Sequence, residues 1–509
     1  MAWYSLPSRK ESTIIIFSIT IFVLFYNLES SFERLRTGRA PTVTGPVGEG
    51  SVNWEKELYG DWTWEERQVV KNAQARREEL AKNSTSLWGP RERGLINQHP
   101  EIYGTVGVND GYVNWGNEIP TTTVMKHVPG STILDHVFLL NGTIYLVTDD
   151  SSFPPLGSIA SSTEKPAEVP QPSEWQVLTT KQGREILGQY GGLIHGVTWL
   201  CTDAHPSNYT LFSLWRTYSS LNASLHPSDP LILPPPRRIF YPNIPALIGG
   251  KPNHGDPVVP RERSPAGFHP YLPKAAFPTL GLMFEDDWQD FASMQAPFLL
   301  RRVVISDAGA AERSRGDIPP FALPLVQLTA STHWWEPIRR NVATFLGVGH
   351  EAKKSWIGSH KIVITYLSRQ DHPHGPKLRH SEHEALVHAL HELGKNYIVN
   401  VVPANAPWKE RMTAILQSTV IVGVHGNHLA DSVFMAPSPR ATLMEIFPPG
   451  TFTREAEVSM KSLNINYFAW WNDQPYGSKS LPPVVPPPEA GSGEIPISVN
   501  ALLKAIRKI

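Results

Sequence analysis

The sequence predicts an α/β protein from the order of its apolar segments, and its length and composition limit the remaining possibilities. After Trp356, short β-branched runs alternate with amphipathic segments, which is typical of a parallel, doubly wound sheet with right-handed crossovers. The 509 residues are enough for two or three domains. The 46 Lys and Arg nearly balance 47 Asp and Glu, so a nucleic-acid-binding protein is not expected. The single cysteine, Cys201, excludes an intramolecular disulfide and a zinc site of paired thiolates.

The N-terminal segment is predicted to be a membrane anchor. Residues 12–28 carry no charge, and their number lies at the short end of the ~17–25 residues that cross a bilayer. A cleaved signal peptide is the alternative, but Leu28 stands where a cleavage site needs a small residue. We therefore expect a cytosolic tail (1–11), a transmembrane anchor (12–28) and a stalk (29–100).

The motifs for N-glycosylation support a lumenal location of the body. The positive charges on the two sides of the predicted span do not decide its orientation. All four Asn-x-Ser/Thr triplets follow the span, at Asn83, Asn141, Asn208 and Asn222.

In the first half, two local patterns are informative. Asn141-Gly142 separates two apolar runs, and both residues suit the positive φ angles of a tight turn, so a β-hairpin is predicted. Residues 226–278 contain 14 prolines in 53 positions, too many for regular elements, and are predicted to form a long insertion.

The second half is predicted element by element. A capping box, Ser381 to Glu384, is expected to begin the first helix. After a proline-rich linker, the last helix is expected to pack back across the other part of the protein. The predicted strands are 361–367, 397–402, 419–424 and 442–447, and the predicted helices are 381–393, 408–418, 429–434 and 499–508.

Polar residues follow these strands, at the edge where open parallel sheets bind ligands. Arg369 follows the first strand, and Lys377 and Arg379 precede the next helix. Guanidinium groups beside a helix N-terminus favour a phosphate. Solvent-exposed basic loop residues are the alternative interpretation.

The third strand is followed by His425-Gly426-Asn427-His428. Gly426 would let a ligand approach the backbone, and His425 and Asn427 offer donors to a phosphate or a sugar hydroxyl. A histidine that caps backbone carbonyls is the alternative. Glu445, near the end of the next strand, could accept hydrogen bonds from ribose hydroxyls, or pair with a basic side chain.

Other motifs are missing from the sequence. It contains neither Gly-x-Gly-x-x-Gly nor a P-loop, which disfavours a dinucleotide-dependent oxidoreductase and an NTPase. His383 and His388 are one residue too far apart for a zinc-protease helix. Because Asp-x-Asp is also missing, we predict no metal site; Glu285-Asp286-Asp287 is more typical of a helix cap.

Two segments of the second half resemble glycosyltransferase family 61, in its fungal branch; relatives include plant β-1,2-xylosyltransferase. The family signature, a strand leading into His-Gly-[Ala/Asn]-Gly-Leu and a later strand ending in Glu-x-Phe-Pro, is similar to VIVGVHGNHLADSVFMAPSPRATLMEIFP, Val420 to Pro448. The Ser-Arg segment of that family is similar to YLSRQDHPHGPKLRHSEHEALVHAL, Tyr366 to Leu390. Weaker similarity covers 138–150, 208–221 and 333–342.

The resemblance implies a GT-B-like fold of two Rossmann-like lobes. It implies an N-terminal acceptor lobe (101–345, with the insertion 226–278), a nucleotide-sugar-binding lobe (346–480) and a linker with a terminal helix (481–509). It also implies a single-pass type II protein of the Golgi or endoplasmic reticulum membrane with its body in the lumen. The implied activity is inverting transfer of xylose or N-acetylglucosamine from a UDP-sugar to a glycan or glycoprotein acceptor, without a cofactor.

The site residues are carried over by position. Arg369 and Arg379 would hold the diphosphate, Glu445 would face the ribose, and the donor would approach the loop of His425, Gly426, Asn427 and His428. His425 is also the best-placed candidate base. Further base candidates in the first half are Asp203, His195, His205 and His333.

Two departures from the family pattern favour an alternative function. His428 replaces a glycine, so a side chain enters space that the family leaves open. Thr210 replaces a histidine of the first lobe. The alternative is a catalytically silent membrane protein that keeps the fold and binds glycans or a partner enzyme.

Overall fold

The computed structural model describes residues 111–207, 209–222, 233–248, 262–264, 266–348, 361–372, 375–487 and 493–509. The predicted tail, anchor and stalk, the acceptors Asn83 and Asn208, and parts of the proline-rich insertion lie outside these residues. Within the described ranges, every helix is too short or too polar to cross a bilayer.

The fold is mixed α/β, with two larger sheets. The strands of the first half are β1 (Tyr112–Asn114), β2 (Thr123–Val128), β3 (Ser131–Leu140), β4 (Thr143–Val147), β5 (Trp175–Leu178), β6 (Tyr190–Cys201), β7 (Arg238–Phe240), β8 (Leu247–Ile248), β9 (Glu262–Arg263), β10 (Gly281–Met283) and β11 (Phe298–Ser306). The first sheet has the strand order β10-β7-β6-β11-β3-β4-β5, with β1 paired to β6 and β2 paired to β3. The strands β8 and β9 pair with each other in a separate two-stranded sheet.

This sheet contains both parallel and antiparallel pairs: the pairs from β10 to β11 are parallel, β11·β3 and β3·β4 are antiparallel, and β4·β5 is parallel. The predicted hairpin is confirmed: β3 and β4 are antiparallel, and Asn141 and Gly142 have φ angles of 51° and 81°. β11 pairs in parallel with β6 on one side and antiparallel with β3 on the other. The first half is therefore a mixed sheet rather than a regular Rossmann-like lobe of parallel strands.

A buried ion pair links β3 and β11. Nε and Nη2 of Arg302 donate to the two carboxylate oxygens of Asp135 at 2.6 and 2.7 Å. The side chains are 2% and 8% exposed. Each charge is thus balanced by the other in a site that water barely reaches.

The second sheet has the order β14-β12-β15-β16-β17-β18, and only the last pair is antiparallel. All four predicted strands are confirmed, within one residue at each end. The strands are β12 (Ile362–Ser368), β13 (Lys377–Leu378), β14 (Tyr397–Pro403), β15 (Val420–Val424), β16 (Thr442–Ile446), β17 (Asn466–Trp471), β18 (Gln474–Gly477) and β19 (Glu494–Ile495), of which β13 and β19 form a separate parallel pair.

Helices cover and connect these sheets. The predicted helices of the second half are present, and the one after β15 is a 3₁₀-helix, Asn427–Phe434. The α-helices are α1 (Leu156–Ile159), α2 (Thr180–Leu187), α3 (Thr210–Ser219), α4 (Leu272–Ala276), α5 (Glu285–Ser293), α6 (Ala308–Glu312), α7 (Leu323–Gln327), α8 (Glu336–Phe345), α9 (His380–His391), α10 (Trp408–Gln417), α11 (Glu455–Ser462) and α12 (Val499–Ile506).

Three sequence predictions are corrected. The capping box is wrong: α9 begins at His380, and Glu382 instead accepts a hydrogen bond from the backbone of Ile497. The terminal helix α12 packs against α9 and the core of the second sheet, because Leu502, Leu503 and Ile506 join that core. The proline-rich insertion contains regular elements, since β7 within it pairs with β6 and β10.

One hydrophobic core continues from the first half into the second. Trp335, just before α8, packs on Phe434 with ring centroids 5.2 Å apart. The Nε1 of Trp334 donates to the carbonyl of Ser462. All ten residues of α3 are buried, and its apolar side chains belong to this core. The segments that carry the candidate site are therefore held by shared packing.

Candidate functional site

The carboxyl edge of the second sheet brings Arg369 and His425 together. Arg369 follows β12 and His425 follows β15, and these strands are parallel neighbours. Nη1 of Arg369 donates to the carbonyl of His425 at 2.9 Å. Two residues separated by 56 positions thus meet where open parallel sheets bind ligands.

Glycines on two sides make room for the Arg369 guanidinium. Gly426 has φ +152°, a conformation that side-chain-bearing residues rarely adopt, and a Cβ there would collide with Nη1 of Arg369. A Cβ on Gly375 would also contact this guanidinium, at Nη2. The sequence needs glycine at 426 both for the backbone angle and for the arginine.

Replacing Gly426 by alanine is therefore expected to cost about 1–3 kcal/mol of unfolding free energy, because the backbone is strained and Arg369 is displaced. Urea denaturation of both proteins measures this. Gly450→Ala is the matched control: Gly450 has φ +84° but open space around it. Equal losses in the two variants would contradict the packing of Arg369 against Gly426.

His425 is held by a buried carboxylate. Its Nδ1 donates to Oε1 of Glu445 at 2.7 Å, and the Tyr467 hydroxyl donates to Oε2 at 2.6 Å. Glu445 is 2% exposed. Both of its oxygens accept a hydrogen bond from a protein group, so Glu445 orients His425.

The environment of His425 favours its protonated form. Burial lowers the pKa of His425, but the hydrogen bond and charge of Glu445 outweigh it and raise the pKa above 6.5. The ring also stacks on Phe447, with centroids 4.7 Å apart. Its Nε2 makes no hydrogen bond to the described residues, and 23% of the side chain is exposed. Together with Arg369, His425 forms a site of positive charge.

Arg379 stands apart from this pair. It is the residue before α9, 52% of its side chain is exposed, and its Nη1 lies 3.6 Å from Oε1 of Glu382. The contacts of the described residues do not join it to Arg369 or His425. Lys377, also predicted at this edge, donates from Nζ to the carbonyl of Gln370.

The side chain of His428 is held neutral. Burial and the charge of Arg369 lower the pKa of His428 to about 3. Its Nε2 is shielded from water and has no hydrogen-bond partner among the described residues. Asn427, by contrast, is exposed at the start of the 3₁₀-helix.

Two cavities meet at Asn427. The larger cavity has a volume of about 340 Å³ and is called the cleft here. In the first half of the chain, the residues after β6 and β11 and the start of α3 line it. In the second half, Asn427 and Glu455 line it. The smaller, about 180 Å³, is called the aromatic cavity and is lined by residues that include Trp335, Asn427 and His428. Groups from both halves of the chain therefore face the cleft.

Asp203, one of the base candidates predicted from the sequence, is a titratable group that lines the cleft. Burial and the nearby charge of Asp307 raise the pKa of Asp203 to about 7. Its Oδ1 accepts a hydrogen bond from the backbone N–H of Ala308 at 2.7 Å. The signal in the sequence was its position just after β6, an inner strand parallel to β11. A carboxyl group with this pKa can exchange protons at neutral pH.

The other candidates of the first half differ in position. His205 is exposed and lines the cleft. His195 lies inside β6, and His333 is an exposed residue before α8. Thr210 lines the cleft, and its hydroxyl donates to the carbonyl of Ser207.

The remaining sequence predictions concern glycosylation and metals. Asn141 is exposed in the hairpin turn, and Asn222 follows α3. Among the described residues, no group of three or more His, Cys, Asp or Glu side chains could hold a metal ion.

Comparisons with known proteins leave the family open. The chain matches no model of a known protein family. It also has no significant match among curated proteins. Membership of glycosyltransferase family 61 stays a prediction from the residues quoted above.

Proposed function

We propose that this chain is an inverting glycosyltransferase that moves a sugar of the xylose or N-acetylglucosamine class from a UDP-sugar to a glycan or glycoprotein acceptor. The observation that carries the proposal is a cleft with a titratable carboxyl group on one side and, on the other, Asn427, which lies two residues after His425. A carboxyl group with a pKa of about 7, Asp203, lines it from the first half. The loop after β15, which holds Arg369 and His425 in contact, lines it from the second through Asn427.

The cationic side suits a departing diphosphate. Arg369 is a permanent cation, and the raised pKa of His425 favours a second one. Charge-assisted hydrogen bonds to phosphate oxygens are about twice as strong as neutral ones. Such donors stabilise the negative charge that develops as the bond from the sugar to UDP breaks. We therefore assign His425 to the leaving group rather than to proton abstraction.

Asp203 is the proposed general base. In the inverting step, the acceptor hydroxyl gives its proton to the Asp203 carboxylate while its oxygen bonds to the anomeric carbon. The bond between that carbon and the diphosphate oxygen breaks on the opposite face, and UDP leaves with the electron pair. A base with a pKa near the working pH is the most effective.

The proposed architecture and location follow the family resemblance. The two sheets would be the lobes of a GT-B-like fold, with the cleft between them as the site of transfer. Residues 12–28 would anchor the protein as a single-pass type II protein of the Golgi or endoplasmic reticulum membrane. The exposed position of Asn141 agrees with a lumenal, glycosylated body.

The first test is the stabilisation of the full-length protein by nucleotides. A ligand at 100 times its dissociation constant adds about 2.7 kcal/mol to the unfolding free energy. We expect UDP to raise the melting temperature, and Arg369→Ala to weaken UDP binding about 10–100-fold, through the loss of charge-assisted hydrogen bonds.

Arg440→Ala is the control, because Arg440 is an exposed arginine in the turn before β16. An unchanged melting temperature of the wild type with UDP and UDP-sugars would contradict the donor site. So would equal affinities for UDP in the two arginine variants.

The catalytically silent protein is the second candidate function, and one observation favours it. The Nδ1 of His428 lies only 3.3 Å from the position that a Cβ of Gly426 would occupy, so the imidazole fills space beside the donor loop. Binding of a UDP-sugar without release of UDP, over hours and with added glycan acceptors, would favour this candidate.

A further inference from the structure

The strand β14 ends the second sheet with a long edge. The strand orders of the two larger sheets end in β10, β5, β14 and β18. β10 has three residues, β5 has four, and β18 has four with Pro475 among them. β14 has seven residues, and its only proline, Pro403, is the last of them. Proteins usually protect sheet edges by short strands, charges or proline, and β14 has none of these before Pro403.

The backbone of β14 pairs with β12 through alternate residues. At the two ends of the strand, Asn396 accepts a main-chain hydrogen bond from Ile362, and Ala404 donates one to Ser368. The parallel register between these ends is continuous. Even-numbered residues therefore face β12, and the backbone groups of odd-numbered residues point away from the sheet.

Two N–H groups at this edge are left to pair. The N–H of Tyr397 donates to the carbonyl of Gly394, and Pro403 has no N–H. Within the described ranges, the N–H groups of Val399 and Val401 have no hydrogen-bond acceptor. A strand laid along this edge would satisfy both of them.

The edge fits an uncharged strand. Residues 396–408 contain no Asp, Glu, Lys or Arg, and Lys395 and Lys409 lie just outside them. Ile398 adds an apolar side chain that is 43% exposed. A charged strand would lose hydration here without gaining an ion pair within this segment.

A second copy of β14 is an uncharged strand that complements the first. Twofold symmetry makes the two strands antiparallel. When Val399 lies opposite Val401 of the second copy, these residues exchange both main-chain hydrogen bonds, and the symmetry-related pair does the same. This register also places Tyr397 opposite Pro403, so the positions without a free N–H face each other.

We propose that the protein forms a twofold-symmetric dimer in which the β14 strands of two copies pair antiparallel, so that their second sheets join into one continuous sheet. This inference does not depend on the proposed glycosyltransferase activity. Arg369 and His425 follow β12 and β15, which are inner strands of the sheet. Each copy therefore keeps its own candidate site.

Sedimentation equilibrium of the full-length protein, in a density-matched detergent because of the predicted anchor, measures the oligomeric state. We expect a dimer at micromolar protein concentration. The amides of Val399 and Val401 should exchange hydrogen slowly in the dimer and faster after dilution to the monomer. A protein that stays monomeric throughout the micromolar range would overturn the inference, and slow exchange in that monomer would show that another part of the chain covers the edge.

A proline variant tests the strand pairing. Val399→Pro removes an outward N–H and keeps the pairing with β12, because edge strands tolerate proline where the N–H faces away from the sheet. It removes half of the proposed hydrogen bonds between the copies and should weaken dimerisation about tenfold or more.

Val177→Pro is the matched control. Val177 lies on the edge strand β5 and is 43% exposed, and the carbonyls of Glu174 and Leu178 accept hydrogen bonds from the β4 side, so the N–H of Val177 faces outward. This variant should dimerise like the wild type. Equal dimerisation of the two proline variants would overturn the inference.

A second variant keeps the backbone intact. Ile398→Lys places a charge opposite Val402 of the second copy, and should also weaken dimerisation about tenfold or more. Ile186→Lys is its control, because Ile186 is 44% exposed on α2, away from β14. Circular dichroism verifies that each variant is folded. A folded Ile398→Lys protein that dimerises as tightly as the wild type would contradict the proposed interface.

Discussion

Replacing Asp203 by asparagine is expected to slow the release of UDP from a bound UDP-sugar about 10²–10⁴-fold, because the proposed base is removed. The asparagine Oδ1 can still accept the hydrogen bond that Ala308 donates to Asp203. The fold should therefore persist. The measurement is steady-state UDP release from UDP-xylose or UDP-N-acetylglucosamine, with water or a glycan as the acceptor.

The pH dependence separates this role from a structural one. Since the pKa of Asp203 rises from 3.8 to about 7 on folding, the native protein binds a proton that the unfolded chain has lost. Its stabilising contribution is complete below pH 4 and is lost as the pH rises towards 7. The wild-type rate should rise through pH 7 as Asp203 ionises. Asp203→Asn should lack both effects.

Asp473→Asn, at an exposed turn after β17, is the control for the loss of a carboxylate. It should keep the wild-type rate and pH profile. If Asp203→Asn retains activity within a few-fold of the wild type, Asp203 is not the base. His425 would then be the next residue to test.

Replacing Arg302 by alanine is expected to lower the unfolding free energy by about 3–5 kcal/mol, because the Asp135 carboxylate stays buried without its partner. Urea denaturation measures the loss. Lys165→Ala is the control, since Lys165 and Glu168 form an ion pair with side chains that are 66% and 50% exposed. That variant should change stability by no more than about 1 kcal/mol.

A double variant tests the physical reason. Asp135→Leu combined with Arg302→Met removes both charges and should recover most of the stability that Arg302→Ala loses. If Arg302→Ala lowers the unfolding free energy by less than about 1 kcal/mol, the ion pair contributes little to the stability of the protein.

The second sheet could be predicted because its signals are local. Each strand is one β-branched run, each crossover is one helix, and β12, β15 and β16 are then parallel neighbours. The first sheet could not be predicted in the same way. Its central pairing, β3 with β11, joins segments that are far apart in the sequence, and no local pattern encodes such a register.

The candidate site was predictable where its residues directly follow strands of the second sheet, and not where it depends on contacts between distant segments. The sheet-edge rule found Arg369 and His425, because each directly follows a strand. It did not reveal that Glu445 accepts two hydrogen bonds from protein groups, since the second donor, Tyr467, lies on the next strand, 22 residues away. The pKa of Asp203 depends first on its burial and then on the charge of Asp307, more than one hundred residues later in the chain, so the shift could be found only from the folded structure.

The long-range pairing of β3 with β11 has a consequence for how the chain folds. Asp135 and Arg302, which join these strands, are 167 residues apart. Closing so long a loop before any contact forms is slow, whereas the second sheet grows from short strand–helix–strand units. During synthesis, the edge of β3 that pairs with β11 therefore stays unpaired until β11 has been synthesised. We expect this half of the protein to be the one that needs chaperones.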